Sequence, residues 1–305
     1  MNPALLYSAT VLIWGSTWLA IHFQLGVVSP EVSLVYRFGI ASLLLFAWCR
    51  FKRLSLPTGW RNHGLIILLG SCLFSVNYLL FYLAAEWLAS GLLAVIFSTI
   101  TVMNILNGAL FLRRRVEVQT IIGSFCGLAG IVFVFLPEVT AVEASPNVLL
   151  AVLMGVIATY FASIGNIVSA HIQKLGIGVI PSNTLGMLYG TAIMLIYTIL
   201  NPSDFNFDPN FSYVVSLIYL SVFGSALAFT LYLTLVGRIG PEKAAYTSVL
   251  FPIVALTLST LFESYTWSAL AGVGVALVLI GNVIVLTSPT QLRELYRRLI
   301  SSSSS

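Results

Sequence analysis

The sequence predicts an all-α membrane protein with ten transmembrane helices in two inverted five-helix repeats. Three observations carry that expectation. Only 8% of the 305 residues are charged and 59% are hydrophobic, against roughly 25% charged residues in an ordinary soluble domain. Apolar runs of near-spanning length follow one another through the chain, since a helix needs roughly 20 residues to cross a bilayer. The chain also matches itself at a constant offset of 151 residues.

The shortage of charge excludes a disordered chain, a nucleic-acid surface and an ordinary soluble enzyme. The 14 Lys+Arg exceed the 10 Asp+Glu too slightly to mark a polyanion-binding face. Cys49, Cys72 and Cys126 lie in or beside apolar runs, with no CxxC pair and no histidine at ligand spacing. They read as small buried hydrophobes rather than a disulfide or metal site, so no metal and no cofactor is expected. Met1 leads almost directly into an apolar stretch without a basic leader region, which makes that stretch a retained first span.

The runs and their breakers place ten spans at about 4–23, 32–50, 63–84, 88–111, 117–136, 147–172, 181–200, 211–236, 242–262 and 266–287. Breakers such as Ser29-Pro30, Leu56-Pro57, Asn201-Pro202, Asp208-Pro209 and Gly240-Pro241 punctuate the connections. Pro30 and Pro181 stand at helix starts, where a missing N–H costs least. No period-2 alternation is sustained, so barrel strands are not expected.

The charges are sorted by side. Arg50, Lys52, Arg53, Arg61, Arg113, Arg114, Arg115, Lys174, Arg238, Lys243, Arg293, Arg297 and Arg298 all fall at one set of helix ends. Glu31, Glu86, Glu138, Glu143, Asp204, Asp208 and Glu263 occupy the other. Basic residues stay on the cytoplasmic side, which places both termini there, and an even number of spans is consistent with that.

The 151-residue shift pairs Pro30 with Pro181, Gly39 with Gly190, Ala94 with Ala245, Phe111 with Phe262, Gly123 with Gly274 and Gly130 with Gly281. Glycines and prolines carry the match, which a chance overlap of apolar residues would not produce. Each half holds five spans, so the second enters the membrane from the opposite side. Secondary transporters recurrently use such inverted repeats, with the site near the midplane between them. The division falls at 1–138, 139–288 and a cytoplasmic tail 289–305.

Over about residues 3–288 the chain resembles the drug/metabolite transporter superfamily, in particular its EamA-type ten-helix exporters. The resemblance rests on Trp14-Gly15-Ser16-Thr17-Trp18, Tyr36-Arg37-Phe38, the Gly91–Ala94 segment, Pro241-Glu242-Lys243-Ala244-Ala245 leading to Pro252, and the glycines at 123, 130, 274 and 281. The family usually has an acidic residue shortly after the fourth span; here Leu112-Arg113-Arg114-Arg115 precedes Glu117. The resemblance implies a bacterial inner-membrane exporter of small metabolites, and within the superfamily the chain looks most like the aromatic amino-acid exporter branch.

Arg37 is the one charged residue well inside a span, roughly 9 Å from the outer end at 1.5 Å per residue. Intramembrane charge is costly and marks function by default. Arg37 would either pair with a substrate carboxylate or serve the structure, by capping carbonyls, meeting Glu31 or snorkelling outward. No carboxylate lies deep in a span and His22, His63 and His171 sit near helix ends, so facilitated or exchange transport is expected over a proton relay.

Trp48, Trp60, Trp87 and Trp267 suit the interfacial belts, but Trp14 falls mid-span with Trp18 on the same face. Phe74, Tyr78 and Tyr82 recur at helical spacing beside Asn77, and Phe229 and Tyr232 are related to Tyr78 and Phe81 by the repeat. Mid-span Ser98, Thr99, Thr101, Asn104, Ser163, Asn166, Thr247 and Ser248 should point inward, because such groups cost free energy in lipid. The candidate substrate-binding set is therefore Trp14, Trp18, Asn77, Tyr78, Tyr82, Ser98, Thr101, Asn166, Phe229, Tyr232 and Thr247. An aromatic core or lipid-facing stripe is the plainer alternative for each. Pro252 interrupts the ninth span as a hinge or a static bend. Gly123, Gly127 and Gly130 suit close packing within one protomer, or alternatively a homodimer contact.

No HExxH, GxSxG or GxxxxGK motif occurs. The basic stretch from Gln291 to Ile300 would lie on the membrane surface, followed by a low-complexity serine tail. The expected function is export of small metabolites, aromatic and other amphipathic amino acids foremost, by a monomer in the lipid bilayer. A lipophilic-cation exporter of the same fold is the first alternative, and a membrane-embedded enzyme or scaffold a remote one.

Overall fold

The computed structural model describes residues 3–112, 118–140, 146–201, 203–244 and 246–286. Arg113–Arg115, Glu117, Glu143, Ala245, the basic C-terminal residues and the serine tail lie outside them. Ten helical stretches occupy the described chain. They are α1 (Pro3–His22), α2 (Pro30–Phe51), α3 (Trp60–Ala85) and α4, in two pieces (Ser90–Ser98 and Ile100–Leu112). Then come α5 (Val118–Thr140), α6 (Pro146–Lys174), α7 (Val179–Leu200) and α8 (Phe211–Ile239). The last are α9, described at Pro241–Ala244 and at Tyr246–Phe262 on either side of residue 245, and α10 (Ala269–Leu286). No strand occurs among the described residues. Seven of these helices are long and apolar enough to cross a membrane, and shorter apolar stretches at Ile121–Val134, Leu250–Phe262 and Ala269–Ile284 fall in the other three.

Packing follows the repeat. α2 lies against α7 and α5 against α10, each helix meeting its own counterpart in the other half. α1 packs on α8 and α9, as α6 packs on α3 and α4. In the α5–α10 crossing, a side-chain carbon at Gly130 would stand 2.6 Å from the Gly274 carbonyl oxygen, and one at Gly281 would stand 2.6 Å from that of Gly123. Cys126 Sγ meets the Leu277 carbonyl at 3.5 Å, a pair separated by the repeat offset itself. The GxxxG stretch of α5 is thus engaged by α10 of the same chain, and backbones this close leave no room for a Cβ.

Four local features depart from the expected spans. α3 contains a π-helical turn at Cys72–Val76, and α8 a longer one at Leu220–Leu227. The repeat offset carries Cys72–Val76 onto Phe223–Leu227, so both interruptions end at equivalent positions. Ser75 Oγ donates to the Gly70 carbonyl five residues back at 3.2 Å, which suits the wider turn. α4 breaks at Thr99, where Ser98 and Thr99 hydroxyls bond the Val95 and Ile96 carbonyls at 2.7 Å and compete with the main-chain ladder. α5, expected to stop at 136, runs on through Pro137 to Thr140, although the proline has no N–H to give the carbonyl four residues back. Pro252 lies inside a continuous helix.

Candidate functional site

An aromatic cavity lies among α1, α3, α4, α6, α8 and α9. Two exposures decide which tryptophans build it. Trp14 and Trp18 are 7% and 8% exposed, while Trp48, Trp60, Trp87 and Trp267 are 47–89% exposed. The second group belongs at the interfaces and the first in the interior. α1 supplies Trp14, Thr17, Trp18 and Ile21 to the wall, and α3 supplies Leu73, Asn77, Tyr78 and Phe81. Phe97 and Ile100 of α4 face Ala162 and Asn166 of α6, and Phe229, Tyr232 and Phe251 close the circle from α8 and α9. The cavity is tight, with a volume of about 40 Å³. In this state the walls stand close, and a ring-sized guest must move side chains to enter.

The rings of Trp14 and Trp18 meet their neighbours edge to face or tilted, never as a face-to-face sandwich, as their quadrupoles favour. Trp14 stands 4.8 Å from Phe229 and 4.8 Å from Tyr232, centroid to centroid. Trp18 meets Phe81 at 5.0 Å and Phe97 at 5.6 Å. Trp14 gives its indole N–H to the Gly224 carbonyl at 3.0 Å, within the π-helical turn of α8.

Seven of the eleven predicted residues, Trp14, Trp18, Asn77, Tyr78, Asn166, Phe229 and Tyr232, come together on this wall. The other four are buried beside it. Tyr82 donates to Gln24 Oε1 at 2.7 Å. Ser98 and Thr247 bond carbonyls of their own segments at 2.7 and 2.8 Å, and Thr101 pairs with Ser248 at 3.1 Å. Ser163, Asn104 and Ser248 are buried as expected, whereas Thr99 is only part-buried and borders a lateral apolar groove.

Toward the basic helix ends, amides and hydroxyls close the cavity. Asn166 Nδ2 donates to the Tyr232 hydroxyl at 3.1 Å and to Asn104 Oδ1 at 3.5 Å. Asn104 reaches the Pro241 carbonyl at 3.5 Å, and Asn107 bonds Ser163 Oγ at 2.8 Å. Toward the acidic ends, Glu263, just beyond α9, accepts from the Ser90 hydroxyl at 2.6 Å and from its main-chain N–H at 3.1 Å. The same carboxylate lies 3.2 Å from His22 Nδ1, so it ties α1, α4 and α9 together.

Arg37 is completely buried, neither snorkelling nor paired with Glu31. Its Nε donates to Ser225 Oγ at 2.9 Å and its Nη1 to the Tyr82 hydroxyl at 3.3 Å. The guanidinium carbon sits 4.5 Å over the Tyr78 ring and 5.2 Å over that of Phe38. Glu31 instead accepts from Ser203.

Sequence reading missed Gln24, Ser225, Phe97 and Phe251. Gln24 and Ser225 become partners only through tertiary contact. A phenylalanine in an apolar helix gives no distinguishing signal, although the helical spacing from Trp14 and Trp18 marks the side of α1 that such rings must meet.

The EamA-like transporter family matches residues 1–136 and again 149–287. The chain is 24% identical to Protein PagO of Salmonella typhimurium (strain LT2), over 88% of this chain and 87% of that one. It is 25% identical to the Uncharacterized inner membrane transporter YedA of Escherichia coli (strain K12), covering 91% and 88%. An Uncharacterized transporter of Archaeoglobus fulgidus is 23% identical, covering 93% and 99%. A crystal structure at 17% identity superposes with a TM-score of 0.67 over 97% of this chain and 98% of that chain, a likeness of fold alone. A chain matched twice by one family, once in each five-helix half, is a membrane transporter, and it belongs to the EamA-like transporter family.

Proposed function

We propose that this transporter exports small ring-bearing metabolites from the cytoplasm, aromatic and other amphipathic amino acids foremost. One observation carries the reading. A cavity walled by Trp14, Trp18, Tyr78, Phe229, Tyr232 and Phe251, with a few polar atoms among the rings, lies between the two helical halves. Aromatic faces bind a planar guest at little entropic cost, and sparse polar groups orient it. The amide network and the Glu263 latch lie at opposite ends of that cavity, which suits alternating access. In the same reading the chain works as a monomer in the bacterial inner membrane. Its halves divide near 138, both termini face the cytoplasm, and Pro252 gives α9 its bending point.

Proteoliposome flux with a panel of radiolabelled amino acids, nucleosides and lipophilic cations tests the substrate class. Aromatic amino acids should move fastest, and movement of cations alone would replace this reading by a cation exporter. Trp14→Ala and Tyr78→Ala should each lower flux with the protein still folded. Loss of one ring contact is worth about 0.5–1.5 kcal/mol, or roughly 2- to 10-fold. Wild-type rates in both variants would remove the cavity from the pathway. Flux should respond little to an imposed pH gradient, since Glu263 lies at a helix end and, among the described residues, no carboxylate lines the cavity.

A further inference from the structure

Arg37 is a buried cation without a counter-ion. Among the described residues, no carboxylate lies within ion-pair distance of it, and its Nη2 has no hydrogen-bond partner. Two of its three nitrogens are held by neutral hydroxyls, which orient the group and leave its charge uncompensated. An isolated charge in a low-dielectric interior is strongly destabilised unless an opposite charge arrives. The third nitrogen is near the cavity. A side-chain carbon placed at Gly224 would stand 3.6 Å from Nη2 and 2.8 Å from the methyl group of Thr17, and Thr17 lines the cavity. The guanidinium also lies on the face of Tyr78, another wall residue.

A second orphan complements it. Asn77, beside Tyr78 on the wall, is 3% exposed, and its Oδ1 has no partner. An unused neutral acceptor therefore stands on the cavity wall at Asn77, and an unused cationic donor lies against its neighbour Tyr78. A carboxylate satisfies the first with charge-assisted bonds, which Arg prefers to make through two nitrogens. An ammonium satisfies the second. A lone cation meets only the second, and Arg37 repels it.

We propose that Arg37 and Asn77 form a head-group subsite for a molecule with a carboxylate beside an amine, Arg37 receiving the carboxylate and Asn77 Oδ1 the ammonium. This rests on the cavity being the transport site. The rings then hold the rest of the molecule, and Tyr78 turns aside to let the carboxylate reach Nη2.

Three probes with the same ring separate the two contacts: L-phenylalanine, 3-phenylpropionate, which lacks the amine, and phenethylamine, which lacks the carboxylate. Uptake into proteoliposomes is measured for wild-type protein, Arg37→Gln, Arg37→Lys and Asn77→Leu. Wild-type protein should move phenylalanine fastest, phenylpropionate more slowly and phenethylamine least. Arg37→Gln should slow both carboxylates by about 10- to 150-fold, the worth of a hydrogen bond to a charged group. It should leave phenethylamine unchanged or faster, and Arg37→Lys should restore part of the carboxylate rate. Asn77→Leu should slow phenylalanine by about 10-fold while leaving phenylpropionate unchanged.

A purely structural Arg37 would slow all three probes together, and that result would overturn the proposal. Equal wild-type rates for phenethylamine and phenylalanine would also overturn it, while leaving ring transport intact. If none of the probes moves, the cavity reading fails and the subsite with it. Should Arg37→Gln not fold, the wild-type panel and Asn77→Leu decide the matter, since neither disturbs the guanidinium.

Discussion

Arg37 and Glu86 show how differently this fold treats its few charges. Arg37 is tolerated because Ser225, Tyr82 and two aromatic faces replace part of its hydration. Glu86, just beyond α3, remains exposed, yet partial burial pushes its carboxyl above the usual range and the nearby Glu31 adds to the rise. A folded-state pKa above the unfolded one gives stability that is complete below the unfolded value and lost as pH rises through the folded value. Glu86→Gln should therefore unfold at a higher temperature than wild-type protein near pH 7, with the difference vanishing toward pH 4. Thermal unfolding in detergent across that range checks it, and a wild-type advantage near pH 7 would contradict the assignment. At this scale the sequence was readable where a residue type was out of place. Trp14 and Arg37 stood out because indole and guanidinium are expensive at mid-span. Gln24, near a helix end, drew no notice, although it completes the Arg37–Tyr82 chain.

The helices themselves were legible because hydropathy and side-sorted charge both report them. Their interruptions were not, because they arise from particular hydroxyls and turns rather than from composition. Ser98 and Thr99 are ordinary residues for a membrane helix, yet side by side they break α4. Neither π-helical turn contains a proline. The turn in α8 matters to the site, for it carries both the Gly224 carbonyl that fixes Trp14 and the Ser225 hydroxyl that fixes Arg37. Glycine told more, since the repeat match at 123, 130, 274 and 281 falls on the closest backbone approach in α5 and α10. Gly130→Ala would bring its Cβ to 2.6 Å from one backbone atom and 2.7 Å from another. Overpacking of this kind costs about 1–3 kcal/mol. Gly272→Ala, which meets nothing within 4 Å, should be neutral or stabilising by about 0.5–1 kcal/mol. Equal unfolding midpoints for the two variants would remove the close crossing from the stability of the fold.

For the whole molecule, the two closures of the cavity are unlike each other. Amides and hydroxyls close the end with basic helix termini, whereas a single carboxylate holds the other. Glu263→Ala removes every bond that joins α9 to Ser90 and His22 through that side chain. A cysteine introduced as Ile21→Cys, on the cavity wall next to His22, should then react several-fold faster with a membrane-impermeant maleimide applied from the acidic side. The comparison belongs in a background with the three native cysteines replaced, and an unchanged rate would show that Glu263 does not keep that end shut. Alternating access in an inverted repeat amounts to the two halves exchanging conformations. Under that exchange the Glu263 contacts have no matching set on the other side, because the equivalent of Glu263 is Leu112. The α5–α10 crossing is different. Exchange turns the Gly130–Gly274 contact into the Gly281–Gly123 contact, and both already exist. A contact that maps onto itself has nothing to break, so in the proposed alternating-access cycle this crossing would serve as the fulcrum about which the remaining helices rock at no cost to itself.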